Sequence, residues 1–126
     1  MPLIPQRLLA ATVLAALPVA SACGEPDVVA VERPTLRLTL SEYRVAPQAV
    51  RVPAGRVELV VRNAGTMVHR LQIRTQDRSR ALATSPPLRP GETARLVLEL
   101  PPGEYVDTCP LDRHDTLGEH GTIVAR

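Results

Sequence analysis

From residue 34 onward, proline and glycine recur so often that no long helix can be sustained, and the intervals between them are filled largely by Val, Leu and Thr. Proline removes a backbone donor and fixes φ, whereas β-branched side chains suit a pleated, half-buried surface. The 13 prolines and 7 glycines therefore cut the chain into short strands joined by turns. With 126 residues there is room for one domain and no second catalytic unit.

The strands are legible from parity. Leu36, Leu38 and Leu40 alternate with Arg37, Thr39 and Ser41, the pattern of a strand with one buried face. Pro47 breaks the run that follows, Ala49–Val52 forms another strand, and Pro53-Ala54-Gly55 turns the chain. Val57, Leu59 and Val61 then alternate with Glu58, Val60 and Arg62 up to the turn Asn63-Ala64-Gly65. A further strand is expected over residues 68–74. There His69, Leu71 and Ile73 share a face, so His69 is expected to look inward from a strand end. Residues 75–87 are polar and Arg-rich and read as a long connection with at most a helical turn. Thr93–Leu100 and residues 104–109 and 121–125 complete about seven strands. That spacing indicates an all-β Greek-key sandwich or small barrel.

Residues 1–22 place Arg7 before an apolar run from Leu8 to Leu17 and end in Ala20-Ser21-Ala22, the order of a secretory signal peptide. The run is shorter than the roughly 20 apolar residues of a spanning helix. Export to the periplasm or the outer face of the cell membrane is expected. Cys23 follows where a bacterial lipoprotein carries its lipidated cysteine, which would give the protein a membrane contact. A free thiol there, or a disulfide to Cys109, is the alternative. Residues 23–33 mix Gly, Pro and acids and read as a tether, leaving 34–126 as the domain. A net charge of +2, two Tyr and no Phe or Trp give no stacking or electrostatic surface for nucleic acid.

Residues 109–121 concentrate chemistry in one turn-rich loop: the Cys109 thiol, the imidazoles of His114 and His120, and the carboxylates of Asp112, Asp115 and Glu119. Thiolate and imidazole together suit copper or zinc. The loop supplies part of a site, and His69 is a candidate for the rest.

The combination of Val52-Pro53-Ala54-Gly55, Asn63-Ala64-Gly65 followed by His69, Pro102-Gly103-Glu104-Tyr105, and then Cys109, His114 and Gly121 resembles the cupredoxin family of plastocyanin- and azurin-like proteins. The resemblance implies a Greek-key sandwich of seven to eight strands over roughly residues 36–124, with one copper ion at one end. It implies His69, Cys109 and His114 as ligands, a set suited to one-electron transfer with a redox partner protein. A monomer is expected, and not an enzyme: copper enzymes with this fold need further histidines and domains, and the chain has three His. A copper storage or delivery module, or a metal-free interaction domain on the same fold, are the competing readings.

Two positions depart from the family pattern. Where the family carries Met, five residues after the second histidine, this chain carries Glu119, a harder ligand expected to favour Cu(II) and lower the reduction potential. His120 is the other candidate for that role and is expected to be exposed instead. Asp107 stands where relatives commonly have an aromatic residue. It is read as exposed by local twist, with a role as acceptor for a ligand histidine as the alternative. Met67 is read as packing rather than as a ligand, and Asp112 and Asp115 as solvated loop acids.

Overall fold

The computed structural model describes Gly24 and residues 26–126. The expected leader and Cys23 lie outside the described residues. Among the described residues ten strands are formed: β1 (Val28–Ala30), β2 (Thr35–Ser41), β3 (Arg44–Ala46), β4 (Ala49–Val52), β5 (Gly55–Asn63), β6 (Gln72–Thr75), β7 (Ala81–Thr84), β8 (Thr93–Leu100), β9 (Gly103–Thr108) and β10 (His120–Ala125). One 3₁₀ segment, Leu111–Leu117, lies between β9 and β10. They make two sheets, a six-stranded one in the order β1-β4-β10-β9-β6-β7 and a four-stranded one in the order β3-β2-β5-β8.

Alternation along each strand builds the core between the sheets. From the four-stranded sheet, Leu36, Leu38 and Leu40 of β2 and Val57, Leu59 and Val61 of β5 point inward with Leu98 and Leu100 of β8. The other sheet contributes Val50 and Val52, Ile73, Tyr105, Ile123 and Ala125. Parallel pairing of β2 with β5, and of β10 with β4, requires the chain to cross between sheets rather than run as hairpins throughout. The all-β sandwich expected from the sequence is the observed architecture.

Three local expectations are corrected. The segment read as a tether joins the fold, because Val28–Ala30 pairs in parallel with β4. All three of its residues are exposed, so no apolar alternation marked it. The connection over residues 75–87 contains β7, an edge strand paired with β6. The turn before β7 is held by Asp77, which accepts from the Thr75 hydroxyl and from the Ser79 amide and hydroxyl. The strand expected over 68–74 is split: β6 begins at Gln72, and His69 is held instead in an isolated antiparallel bridge with Leu88.

That split positions the site. His69 N–H donates to Leu88 O at 3.0 Å and Leu88 N–H returns to His69 O at 2.7 Å. Asn63, fully buried, ties the same region down: its Nδ2 donates to Met67 O at 2.7 Å and to Leu88 O at 2.8 Å, while its Oδ1 accepts the Gly65 amide. A polar side chain is stable in this interior because all its hydrogen-bonding capacity toward the backbone is used.

Candidate metal centre

Four side chains converge at one end of the sandwich. His69 arrives from the bridge segment between β5 and β6, Cys109 immediately follows β9, His114 lies in the 3₁₀ segment, and Glu119 immediately precedes β10. One donor atom from each lies within 4.8 Å of all the others. His69, Cys109, His114 and Glu119, expected as one group, lie together in space, and His120 is not part of that group.

The loop that carries three of the four is closed by its own backbone. Asp115 N–H donates to Cys109 O, Glu119 N–H to His114 O, and Cys109 N–H to Glu119 O. Asp112 and Arg113 take left-handed φ values of 45° and 62°, and Gly118 takes 115°, a conformation that suits glycine. The tight turns bring the Cys109 and Glu119 ends together and aim His114 inward, leaving it 1% exposed.

His69, Cys109 and Glu119 are 0% exposed. His69 Nδ1 lies 2.7 Å from Glu119 Oε1, His114 Nδ1 lies 3.1 Å from Glu119 Oε2, and Cys109 Sγ lies 3.6 Å from His114 Nδ1. Short as these separations are, His69 Nδ1 and both Glu119 oxygens have no aligned hydrogen-bond partner. Buried polar atoms left in this way are costly, and here they belong to one cluster of donors within 4.8 Å of one another. The sulfur–nitrogen separation is close to the ~3.5 Å edge made by thiolate and imidazole sharing one tetrahedral ion at ordinary bond lengths. The donors present fit a single copper or zinc ion.

Electrostatics agree. Burial pushes the Cys109 thiol up, against the lowering effect of amide donors from Arg70 and Leu111. Burial likewise pushes the Glu119 carboxyl up to about 7, helped by the charge of Glu42. His69 is pushed down, mainly by burial. Without a cation the cluster favours neutral forms, and a bound cation displaces protons from it. The Arg70 amide donates to Cys109 Sγ at 3.4 Å, a contact that favours thiolate.

Two surrounding residues were not singled out by sequence. Tyr43, at a left-handed φ of 58° in the turn between β2 and β3, places its ring edge-on to His114 with centroids 5.5 Å apart. Glu42 beside it faces His69 Nε2 at 3.5 Å. Neither had a signal along the chain, because the turn meets the site only through tertiary packing.

Asp107 contradicts the expectation of exposure. It is 0% exposed, faces inward as the parity of Tyr105 and Cys109 requires, and sits opposite Gly121 in the β9–β10 register. Gly121 makes the space: a Cβ there would lie 2.8 and 2.9 Å from the Asp107 oxygens. Neither carboxylate oxygen has a hydrogen-bond partner, so Asp107 is not an acceptor for a ligand histidine, and burial pushes it up to about 7. His120 is half-buried rather than exposed, being paired with Thr108 in β10. Met67 is 38% exposed rather than packed. Asp112 is exposed as expected, whereas Asp115 is half-buried and accepts the Thr116 amide.

A family model described as the cupredoxin-like domain matches residues 8–125. The chain belongs to the cupredoxin family. No curated protein matches this cupredoxin. Among solved structures it is similar to a reduced auracyanin from Roseiflexus castenholzii, at 18% identity and a TM-score of 0.68, over 76% of this chain and 99% of that one. Auracyanin A of Chloroflexus aurantiacus, described as a "blue" copper protein, gives 19% identity and a TM-score of 0.64 over 77% and 99%. Rusticyanin from Thiobacillus ferrooxidans gives 14% and 0.65 over 82% and 84%. At these identities the likeness to the solved structures concerns the fold, and the cupredoxin's own four buried donors carry its chemistry.

Proposed function

We propose that this cupredoxin is an exported, one-electron carrier that holds a single copper ion through His69, Cys109 and His114, with Glu119 as the fourth ligand. The observation that carries the reading is the convergence of four fully buried donors, His69 Nδ1 and the Glu119 oxygens unpaired, at one end of a packed sandwich. Copper bound there supplies a one-electron couple. The chain's part is to keep the donors in place whichever oxidation state is present. Backbone bonds within the 109–119 loop, the Asn63 bonds and the His69–Leu88 bridge resist rearrangement, and Tyr43 covers the His114 ring.

Glu119 sets the character of the site. A carboxylate is harder than a thioether and favours the more highly charged ion, so the potential lies lower than a methionine at this position would give. The leader-like residues 1–22 support export, and Cys23 supports a lipid tether that keeps a monomeric carrier close to membrane-bound redox proteins. Nothing in the composition favours nucleic acid. Voltammetry of the copper-loaded protein tests the role: a reversible one-electron wave with rapid self-exchange is expected. Copper held in one oxidation state, cycling slowly or not at all, would favour storage or delivery over electron transfer.

A further inference from the structure

We propose that Glu42 is a positioning residue for the metal centre: its carboxylate receives the Nε2–H of His69, turns the Nδ1 lone pair toward Cys109, His114 and Glu119, and adds a negative charge beside the site. This rests on the reading of those four residues as a metal site. His69 is fully buried and its two ring nitrogens face different groups, Nδ1 meeting Glu119 Oε1 at 2.7 Å and Nε2 meeting Glu42 Oε1 at 3.5 Å. Among the described residues, Nε2 has no other polar partner. A neutral imidazole has one N–H, and the nitrogen that carries it is set by the acceptor it finds. Glu42 offers that acceptor on the side away from the cluster, leaving Nδ1 as the ligand atom.

The same oxygen fastens the segment that delivers His69. Glu42 Oε1 accepts the Thr66 amide, the Met67 amide at 3.0 Å and the Thr66 hydroxyl at 3.3 Å. Ring and loop are therefore held by one carboxylate reaching over from the β2–β3 turn. Gly65 is fitted to it, since a Cβ there would collide with Glu42 Oε1. A side chain at Gly65 would therefore make this carboxylate shift away from His69 and the 66–67 amides. No Arg pairs with Glu42 among the described residues; its one ionic partner is His69. The charge is left to act on the ring, making the imidazole a stronger donor and favouring a divalent over a monovalent ion.

Two variants separate these effects. Glu42→Gln keeps an acceptor oxygen for His69 and the loop but removes the charge, and Glu42→Ala removes both. Proton–nitrogen correlation spectra of the metal-free protein read the His69 tautomer, and competition titration with cobalt(II) reads affinity. Wild type is expected to show the Nε2–H tautomer, kept in Glu42→Gln and mixed in Glu42→Ala. Cobalt(II) affinity is expected to fall about tenfold in Glu42→Gln and toward a hundredfold in Glu42→Ala, the range for losing an outer partner of a ligand histidine. The Cu(II)/Cu(I) potential is expected to rise in both. A wild-type tautomer in Glu42→Ala, or wild-type cobalt affinity in Glu42→Gln, would overturn the proposal. Failure of wild type to give a Cys109-dependent cobalt band would instead sink the metal reading, while the metal-free tautomer would still decide whether Glu42 orients His69.

Discussion

Proton competition at Glu119 makes a quantitative prediction about metal affinity. With no cation bound, burial raises this carboxyl from 4.5 to about 7, so below neutrality the metal-free protein carries a proton where the ion must be held. A metal that takes the carboxylate displaces that proton, and each displaced proton changes apparent affinity about tenfold per pH unit. Cys109 is pushed up from the usual thiol range mainly by burial and to a smaller extent by Glu119, so below neutrality the thiol is protonated in wild type and in Glu119→Gln, and loss of its proton on metal binding has the same pH slope in both. The ratio of wild-type to Glu119→Gln affinity isolates Glu119. It should rise about tenfold per pH unit, or about a hundredfold over two units, as pH approaches neutrality, and level off above it. Zinc(II) competition against a chelator of known pH dependence, repeated across that range, measures the ratio. A ratio independent of pH would refute the reasoning, because it would mean that Glu119 does not exchange a proton for the metal.

Other outcomes follow from the same packing. Asp107 is raised from 3.8 to about 7 in the folded protein. Its stabilising effect is therefore fully present below the unfolded value and lost as pH rises through the folded one, a difference of about 4 kcal/mol across the interval. Urea unfolding of metal-free protein should show wild type losing about that much relative to Asp107→Asn on going from acid to neutral pH, whereas parallel profiles would place a partner on the carboxylate. Gly121→Ala should cost about 1–3 kcal/mol, as overpacking does, because the new Cβ would lie 2.6 Å from Gln48 O, a backbone atom, as well as against Asp107. Unfolding midpoints check this. Tyr43→Ala uncovers His114, so azide should perturb the optical spectrum of the copper-loaded variant and leave wild type unchanged.

Much of this was legible along the chain, for a physical reason. Strands with one buried face announce themselves by parity, which is why Leu36, Leu38 and Leu40 and the inward direction of His69 read correctly. The spacing of Cys109, His114 and Glu119 carried the loop, because ligands delivered by one short segment keep a fixed separation. Edge elements did not read: β1 is exposed throughout and β7 is Ala-Leu-Ala-Thr, neither with a clear alternation. Asp107 was misjudged because its accommodation depends on a missing Cβ at Gly121 in the neighbouring strand. Glu42 was missed for a related reason. Its link to His69 spans 27 residues and exists only once the β2–β3 turn lies against the 65–67 segment.

The central claim is that Cys109 shares one metal ion with His69, His114 and Glu119. Optical and EPR spectra of the protein loaded with one equivalent of Cu(II), beside Cys109→Ser, test it most directly. An intense thiolate-to-copper charge-transfer band, bleached on reduction and absent from Cys109→Ser, is the predicted result. A colourless Cu(II) complex with Cys109 intact would contradict it.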